Sequence, residues 1–210
     1  RLLACAMVLT YHFFPKDLPV GYLGVDLFFV LSGFFVSKIV HESSEQSFWV
    51  VLSKRFKRLL APFPIFLTIS FVGYLSVFDG YKVFYGARTV LALMFGGSNI
   101  ELFSQGGYFS DNSFNKLFLH LWSLGVEVQF YFFFILIVAR FIRSPWFPAF
   151  FLVLGLSSMA LFVASYELSE RLGFFSPVGR FFEFAAGAIL FWTCLADEKN
   201  RWRNYFYLYV

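Results

Sequence analysis

Residues 20–40 have the sequence VGYLGVDLFFVLSGFFVSKIV, and this stretch decides the class of fold. Its charged side chains are Asp26 and Lys38, and most of the others are aliphatic or aromatic. Because a helix of about 20 mostly apolar residues spans the hydrocarbon core of a bilayer, the stretch predicts a transmembrane helix. Further apolar runs that predict spans lie at Leu2–Phe14, Leu59–Phe78, Leu117–Ala139, Trp146–Ser165 and Phe181–Leu195.

The composition of the whole chain also indicates a membrane protein. Of its 210 residues, 59% are hydrophobic, 14% are charged and 34 are Phe. Soluble domains keep roughly a quarter of their residues charged, and one small soluble core does not bury several long apolar runs. We therefore predict an all-α fold, a polytopic transmembrane helical bundle with about six clear spans and one re-entrant or interfacial segment.

The re-entrant or interfacial segment is predicted at residues 84–103. This segment is partly apolar but contains Arg88, the pair Gly96-Gly97, Asn99 and Glu101. Irregular backbone at membrane depth is tolerated where it is buried in protein or lines a cavity. We therefore expect a helix here that does not cross the bilayer, followed by a loop.

Basic residues predict the orientation of the chain. They concentrate in residues 38–58, at Arg140 and Arg143, and in residues 199–203, and the positive-inside rule assigns these loops to the cytoplasm. The N-terminal end is then cytoplasmic, and the net charge of +4 reflects membrane topology rather than nucleic-acid binding. The chain starts at Arg1 inside an apolar run, so we expect residues 1–210 to be one partial domain truncated at both ends.

His12 is the first ionisable side chain predicted inside the membrane, where such groups are costly and are often functional. It follows Arg1 by eleven positions, about 16 Å along a helix, which places Arg1 near the cytoplasmic surface and His12 deeper. Histidine is the commonest general base, so His12 is a candidate for deprotonating a hydroxyl. A histidine that only packs between helices explains the position equally well.

Asp26 lies near the outer end of the second span, a short connection away from His12. A carboxylate that accepts a hydrogen bond from an imidazole fixes its tautomer and raises its basicity, so we predict that Asp26 orients His12. A helix-capping aspartate is the alternative. Arg55 and Arg58 share one helix face, as a phosphate site requires, although ordinary positive-inside charge or lipid headgroup contact also explains them.

Glu127 and Gln129 have apolar neighbours on both sides. Glu127 would bind a substrate hydroxyl, or it would make a hydrogen bond between helices. Trp122 fits an interfacial anchor. Arg180 and Glu183 are three apart, a spacing at which the two side chains can pair with each other.

Taken in order, these motifs resemble acyltransferase family 3, bacterial membrane acyltransferases that include O-antigen acetylases. The chain contains an Arg and a His separated by ten residues, G-V-D-x-F-F-V-x-S-G-F, R-x-x-R, W-S-L-x-V-E-x-Q-F-Y and R-x-x-E-x-x-x-G; these begin at Arg1, Gly24, Arg55, Trp122 and Arg180. In the family, the position after the Glu of the fourth pattern is a second Glu, and Val128 stands there in this chain.

The resemblance implies transfer of an acyl group, often acetyl, from cytoplasmic acyl-CoA to a hydroxyl of a glycan or lipid-linked sugar. Lipopolysaccharide is a typical acceptor, the bacterial inner membrane is the location, and membrane lipids surround the chain. Acyl-CoA is a co-substrate, and the resemblance implies neither a metal nor a permanently bound cofactor. The roles we assign are catalysis for His12, Asp26 and Glu127; donor binding for Arg1, Arg55 and Arg58; and acceptor binding for Asn99, Trp122, Ser123, Arg180 and Glu183.

Two questions stay open at the level of sequence. The imidazole of His12 would either deprotonate the acceptor directly or carry the acyl group first. A transporter or flippase is the rival function, because buried His, Asp and Glu also form proton relays. No inverted repeat is visible to favour the rival, and a purely structural scaffold would leave the interior carboxylates without a purpose.

Overall fold

The computed structural model describes residues 2–42, 48–61, 63–77, 80–109 and 118–197. Within these ranges the chain forms ten α-helices and two short 3₁₀ turns, in agreement with the predicted all-α class. The helices are α1 (Leu2–Phe13), α2 (Gly24–Glu42), α3 (Phe48–Leu60), α4 (Phe63–Val77), α5 (Gly80–Met94), α6 (Ser98–Ser104), α7 (Leu121–Phe141), α8 (Phe147–Leu168), α9 (Glu170–Phe175) and α10 (Phe181–Asp197).

Three helical stretches in the described ranges are long and apolar enough to cross a membrane: Gly21–Glu42, Leu121–Phe141 and Phe147–Leu168. The prediction of about six spans is therefore too high for these ranges. The other three apolar runs do form helices, α1, α4 and α10, but these are shorter. The 12 residues of α1 extend about 18 Å, less than the hydrocarbon thickness of about 30 Å.

The segment predicted as one re-entrant or interfacial helix consists of two helices. α5 ends at Met94 and α6 starts at Ser98, and Gly96 between them has a φ of 71°. This left-handed conformation suits glycine, and a Cβ at Gly96 would also come within 2.7 Å of Val128 Cγ1. The helix therefore breaks at Gly96 because the backbone turns there against α7.

The chain divides into two compact units. The first takes its described residues from Arg1–Ser44, Ile135–Met159 and Arg180–Val210, and the second from Glu45–Phe134 and Ala160–Gly179. In the first unit, α2 and α10 approach closely at two glycines. A Cβ on Gly33 would collide with the Phe184 backbone, and one on Gly187 with the carbonyl of Val30. Small residues of this kind let transmembrane helices pack backbone to backbone.

The second unit contains a core around α5 and the start of α7. Its buried centre is Leu93, Phe118 and Leu121, with apolar side chains of α4 packed against it. α3 is an amphipathic helix rather than a loop. Val51 and Leu52 are buried on one face, whereas Lys54 and Lys57 are exposed on the other.

Candidate functional site

His12 lies in the last turn of α1, on an exposed part of the first unit. Its Nδ1 is 2.9 Å from the backbone carbonyl oxygen of Val8, one helical turn earlier. A carbonyl oxygen only accepts hydrogen bonds, so Nδ1 must be the donor, and the basic lone pair of the neutral ring lies on Nε2. The backbone of α1 itself therefore fixes the tautomer that a general base or acyl carrier requires.

The prediction that the Asp26 carboxylate accepts the hydrogen bond that orients His12 is wrong. Val8, not Asp26, accepts the hydrogen bond from Nδ1, because the last turn of α1 places that carbonyl directly beside the ring. The carboxylate of Asp26 is directed to Arg180 instead, with Oδ1 2.9 Å from the guanidinium Nη1. The sequence held no specific signal for this partner, because every residue inside a helix has a backbone carbonyl four positions earlier.

Arg180 joins two carboxylates in the first unit. Its Nη1 donates to Asp26 Oδ1 and also, at 2.8 Å, to Glu183 Oε1. Glu183 is only 3% exposed, and Arg180 is also buried. The pairing of Arg180 with Glu183 at a spacing of three residues is confirmed. The structure thus places these two predicted acceptor-binding residues in an ionic cluster with Asp26, whose side chain is partly exposed.

Arg55 is on the buried face of α3, in the second unit. Its side chain is 2% exposed, one helical turn beyond the buried Val51, while the flanking Lys54 and Lys57 are exposed. A basic residue that only sets topology or contacts lipid headgroups keeps its charge in water, so that explanation fits the lysines and not Arg55. Arg1 and the side chain of Arg58 lie outside the described residues.

Glu127 is half-buried on α7, also in the second unit. Its Oε1 accepts a hydrogen bond from the hydroxyl of Tyr131, one turn later on the same helix. Tyr131 is fully buried and forms the last residue of the motif that begins at Trp122. The sequence contained the signal for this pair, since residues four apart on a helix are neighbours.

Asn99 is part of a buried polar network that holds α6 against α7 and α9. The side chain is 1% exposed, its Nδ2 donates to the carbonyl of Phe175 at 3.1 Å, and its Oδ1 accepts from Gln129 at 2.7 Å. Ser98 adds a hydrogen bond to the carbonyl of Leu121 at 2.7 Å. The amide of Asn99 is thus used in packing, rather than being presented to a glycan as predicted.

Trp122 and Ser123 are also engaged within the protein. Trp122 is buried, with its ring centroid 4.4 Å from that of Phe174, so neither interfacial anchoring nor exposed contact with an acceptor describes it. The Ser123 hydroxyl donates to the carbonyl of His120 at 3.1 Å, at the start of α7. Ser123 is only partly buried, so acceptor binding by Ser123 stays a prediction.

Comparison with known proteins gives a consistent assignment. The family model described as an acyltransferase domain, acyltransferase family 3, matches residues 1–206. The O-acetyltransferase OatA of Staphylococcus aureus (strain NCTC 8325 / PS 47) is 32% identical over 146 residues, which is 66% of this chain and 23% of that protein. OatA of S. aureus strain COL matches this chain with the same identity, 32%, over the same length of 146 residues.

A further S. aureus strain COL protein, provisionally named an O-acetyltransferase, is 30% identical over 152 residues, 69% of this chain and 24% of that protein. The chain thus spans about a quarter of the length of the curated relatives it matches. No solved structure matches it significantly. With a family model that covers nearly all of its residues, and with the ordered motifs described above, the chain belongs to acyltransferase family 3.

Proposed function

We propose that this chain is the acyl-transferring domain of a bacterial inner-membrane O-acyltransferase, with its N-terminal end in the cytoplasm. The donor is cytoplasmic acyl-CoA, with acetyl as the expected acyl group, and the acceptor is a hydroxyl of a cell-surface or exported glycan. Membership of the family and the O-acetyltransferase names of the staphylococcal relatives support the reaction class.

The observation that carries the proposal is the hydrogen bond from His12 Nδ1 to Val8. It directs the basic lone pair to Nε2 on an exposed ring, and it also stabilises the imidazolium that forms when Nε2 gains a proton or an acyl group. A histidine with this tautomer suits either chemical route.

In the direct route, Nε2 takes the proton of the acceptor hydroxyl while its oxygen attacks the thioester carbon. The C–S bond then breaks, and the coenzyme A thiolate receives the proton from the imidazolium. In the covalent route, Nε2 attacks the thioester first and the thiolate leaves. The acceptor oxygen then displaces the imidazole from the acyl carbon, and the hydroxyl proton passes to the thiolate.

Arg55 is proposed to hold an anionic group of acyl-CoA, together with Arg1 and Arg58. Its guanidinium is directed into the protein, where a charge-assisted hydrogen bond to phosphate is stronger than in water. Glu127, which accepts a hydrogen bond from Tyr131, is proposed to bind the acceptor hydroxyl. These roles concern the second unit by itself, as the role of His12 concerns the first.

The experiment that tests the proposal uses membranes containing the intact protein, acyl-CoA labelled in the acyl group, and a glycan extract. We expect release of one free thiol for each labelled acyl group that appears in the glycan fraction. A transporter or flippase would release no thiol, and an acyl-CoA hydrolase would release thiol without labelling glycan. Either of those results would contradict the proposed transfer.

A further inference from the structure

The ionic cluster of Arg180, Asp26 and Glu183 connects the starts of two helices. Asp26 is in the first turn of α2, Glu183 is in the first turn of α10, and Arg180 directly precedes α10. One guanidinium thus serves two carboxylates in largely buried surroundings, at 2.9 Å and 2.8 Å. Separating such a pair would leave a charge without its partner in a poorly solvated place, so the cluster holds the two helix starts together.

The start of α10, which follows Arg180, is also attached to α8. The backbone N–H of Phe182 donates to the hydroxyl of Ser158 on α8 at 3.0 Å. Arg180 is therefore attached to a helix whose start is fixed independently of Asp26.

The α2 side of the cluster is in contact with the helix that carries His12. Gly24, two residues before Asp26, faces α1 so closely that a Cβ there would lie 2.8 Å from Val8 Cγ2 and would collide with the carbonyl of Ala4. Val8 is the residue whose carbonyl fixes the imidazole of His12. A displacement of the first turn of α2 would therefore displace Val8, and the imidazole with it.

We infer that Arg180 is a positioning residue for His12: it fixes Asp26, Asp26 fixes the start of α2, and α2 fixes the turn of α1 that orients the imidazole. This inference rests on the proposed function, in which His12 performs the chemistry. It differs from the prediction that Arg180 and Glu183 contact the acceptor, because it gives them no contact with substrate.

Asp26→Asn is the most informative variant, because it removes the ionic link between α10 and α2 and leaves the Arg180–Glu183 pair intact. We expect kcat to fall about tenfold or more, since small misplacements of a catalytic group cost large factors in rate. The KM values for acyl-CoA and acceptor should stay within about twofold, because no substrate contact is lost. Asp17→Asn, an exposed aspartate nine residues earlier, is the matched control and should behave as wild type.

Arg180→Lys should restore part of the rate that Arg180→Gln loses, because lysine keeps one cation near the two carboxylates. If Asp26→Asn does not accumulate in membranes, the combined variant Asp26→Asn, Arg180→Met, Glu183→Gln leaves no buried charge unpaired. It should be folded and should show the same loss of kcat at unchanged KM.

Two results would overturn the inference. One is a kcat equal to wild type in the folded Asp26→Asn or combined variant. The other is a raised KM for acceptor with kcat unchanged, which would make the cluster an acceptor contact. Failure of the proposed function is distinguishable from both results, because wild-type protein would then transfer no acyl group at all.

Discussion

The imidazole Nδ1 of His12 donates a hydrogen bond to the backbone carbonyl of Val8 at 2.9 Å. A backbone carbonyl is not lost by side-chain substitution, so α1 itself keeps a hydrogen-bond acceptor beside Nδ1 of His12. The arrangement needs α1 to keep its last turn intact, and α1 in turn lies against the first turn of α2 at Gly24. The chemistry of His12 is therefore coupled to the packing of the first unit.

A substitution at Gly187 tests the close packing of α10 against α2 in the first unit. A Cβ at this position would collide with the carbonyl of Val30, so Gly187→Ala should destabilise the protein by about 1–3 kcal/mol through overpacking between α10 and α2. Gly73→Ala on α4 is the control, because no atom lies within 4 Å of a Cβ there. Gly73→Ala should leave the free energy of unfolding unchanged or raise it by up to about 1 kcal/mol. Thermal unfolding of the purified protein in detergent measures both, and equal midpoints for the two variants would contradict the close approach.

The network of Asn99 and Gln129 should be measurable as a coupling energy. Asn99→Ala and Gln129→Ala should each cost about 1–3 kcal/mol, because each leaves a buried polar partner unsatisfied. The double variant should cost less than the sum of the two. A second cycle, which combines Ser104→Ala with Gln129→Ala, provides the control. Ser104 is exposed, and its hydroxyl donates to the nearby carbonyl of Glu101, so the effects of these two substitutions should add. If the stability losses of Asn99→Ala and Gln129→Ala add strictly in the double variant, the hydrogen bond between the two side chains does not form.

Arg55 should determine the affinity for the acyl donor. Arg55→Ala is expected to raise the KM for acyl-CoA about 10–100-fold, the loss associated with one charge-assisted hydrogen bond to phosphate. Arg55→Lys should restore only part of this affinity, because an ammonium cannot reproduce the planar two-pronged contact of a guanidinium.

Lys54→Ala is the matched control for Arg55, as an exposed cation one residue away on the same helix. It should leave KM within about twofold of wild type. An Arg55→Ala protein that unfolds at the wild-type temperature and keeps the wild-type KM would show that Arg55 does not bind the donor.

The sequence predicted the helical class because the apolar runs are long, and runs of that length exclude a small soluble core. It overestimated the spans because hydropathy locates an apolar core but not the residue at which a helix ends. The break at Gly96 was signalled by two adjacent glycines. The burial of Arg55 was signalled as well, because Val51, Leu52 and Arg55 fall on one face of a helix.

Other parts of the site could not be predicted in this way. Arg180 and Asp26 are separated by 154 positions, and nothing local to either residue indicates the other as its partner. The same holds for Asn99 and Phe175, whose contact depends on how α6 and α9 pack. Resemblance to the family indicated which residues belong to the ordered motifs. Their partners depend on tertiary packing, which a single sequence does not contain.

We propose above all that Nε2 of His12 performs the acyl transfer. The most direct test compares His12→Asn with His41→Asn, a histidine near the end of α2 that serves as the matched control. The asparagine amide at position 12 can still donate to Val8 but has no basic nitrogen, so the fold should persist. The measurement is the rate of transfer of a labelled acetyl group from acetyl-CoA to glycan in membranes with equal amounts of each variant. We predict a fall of at least about 100-fold for His12→Asn and a rate near wild type for His41→Asn; a His12→Asn rate close to that of the control would contradict the claim.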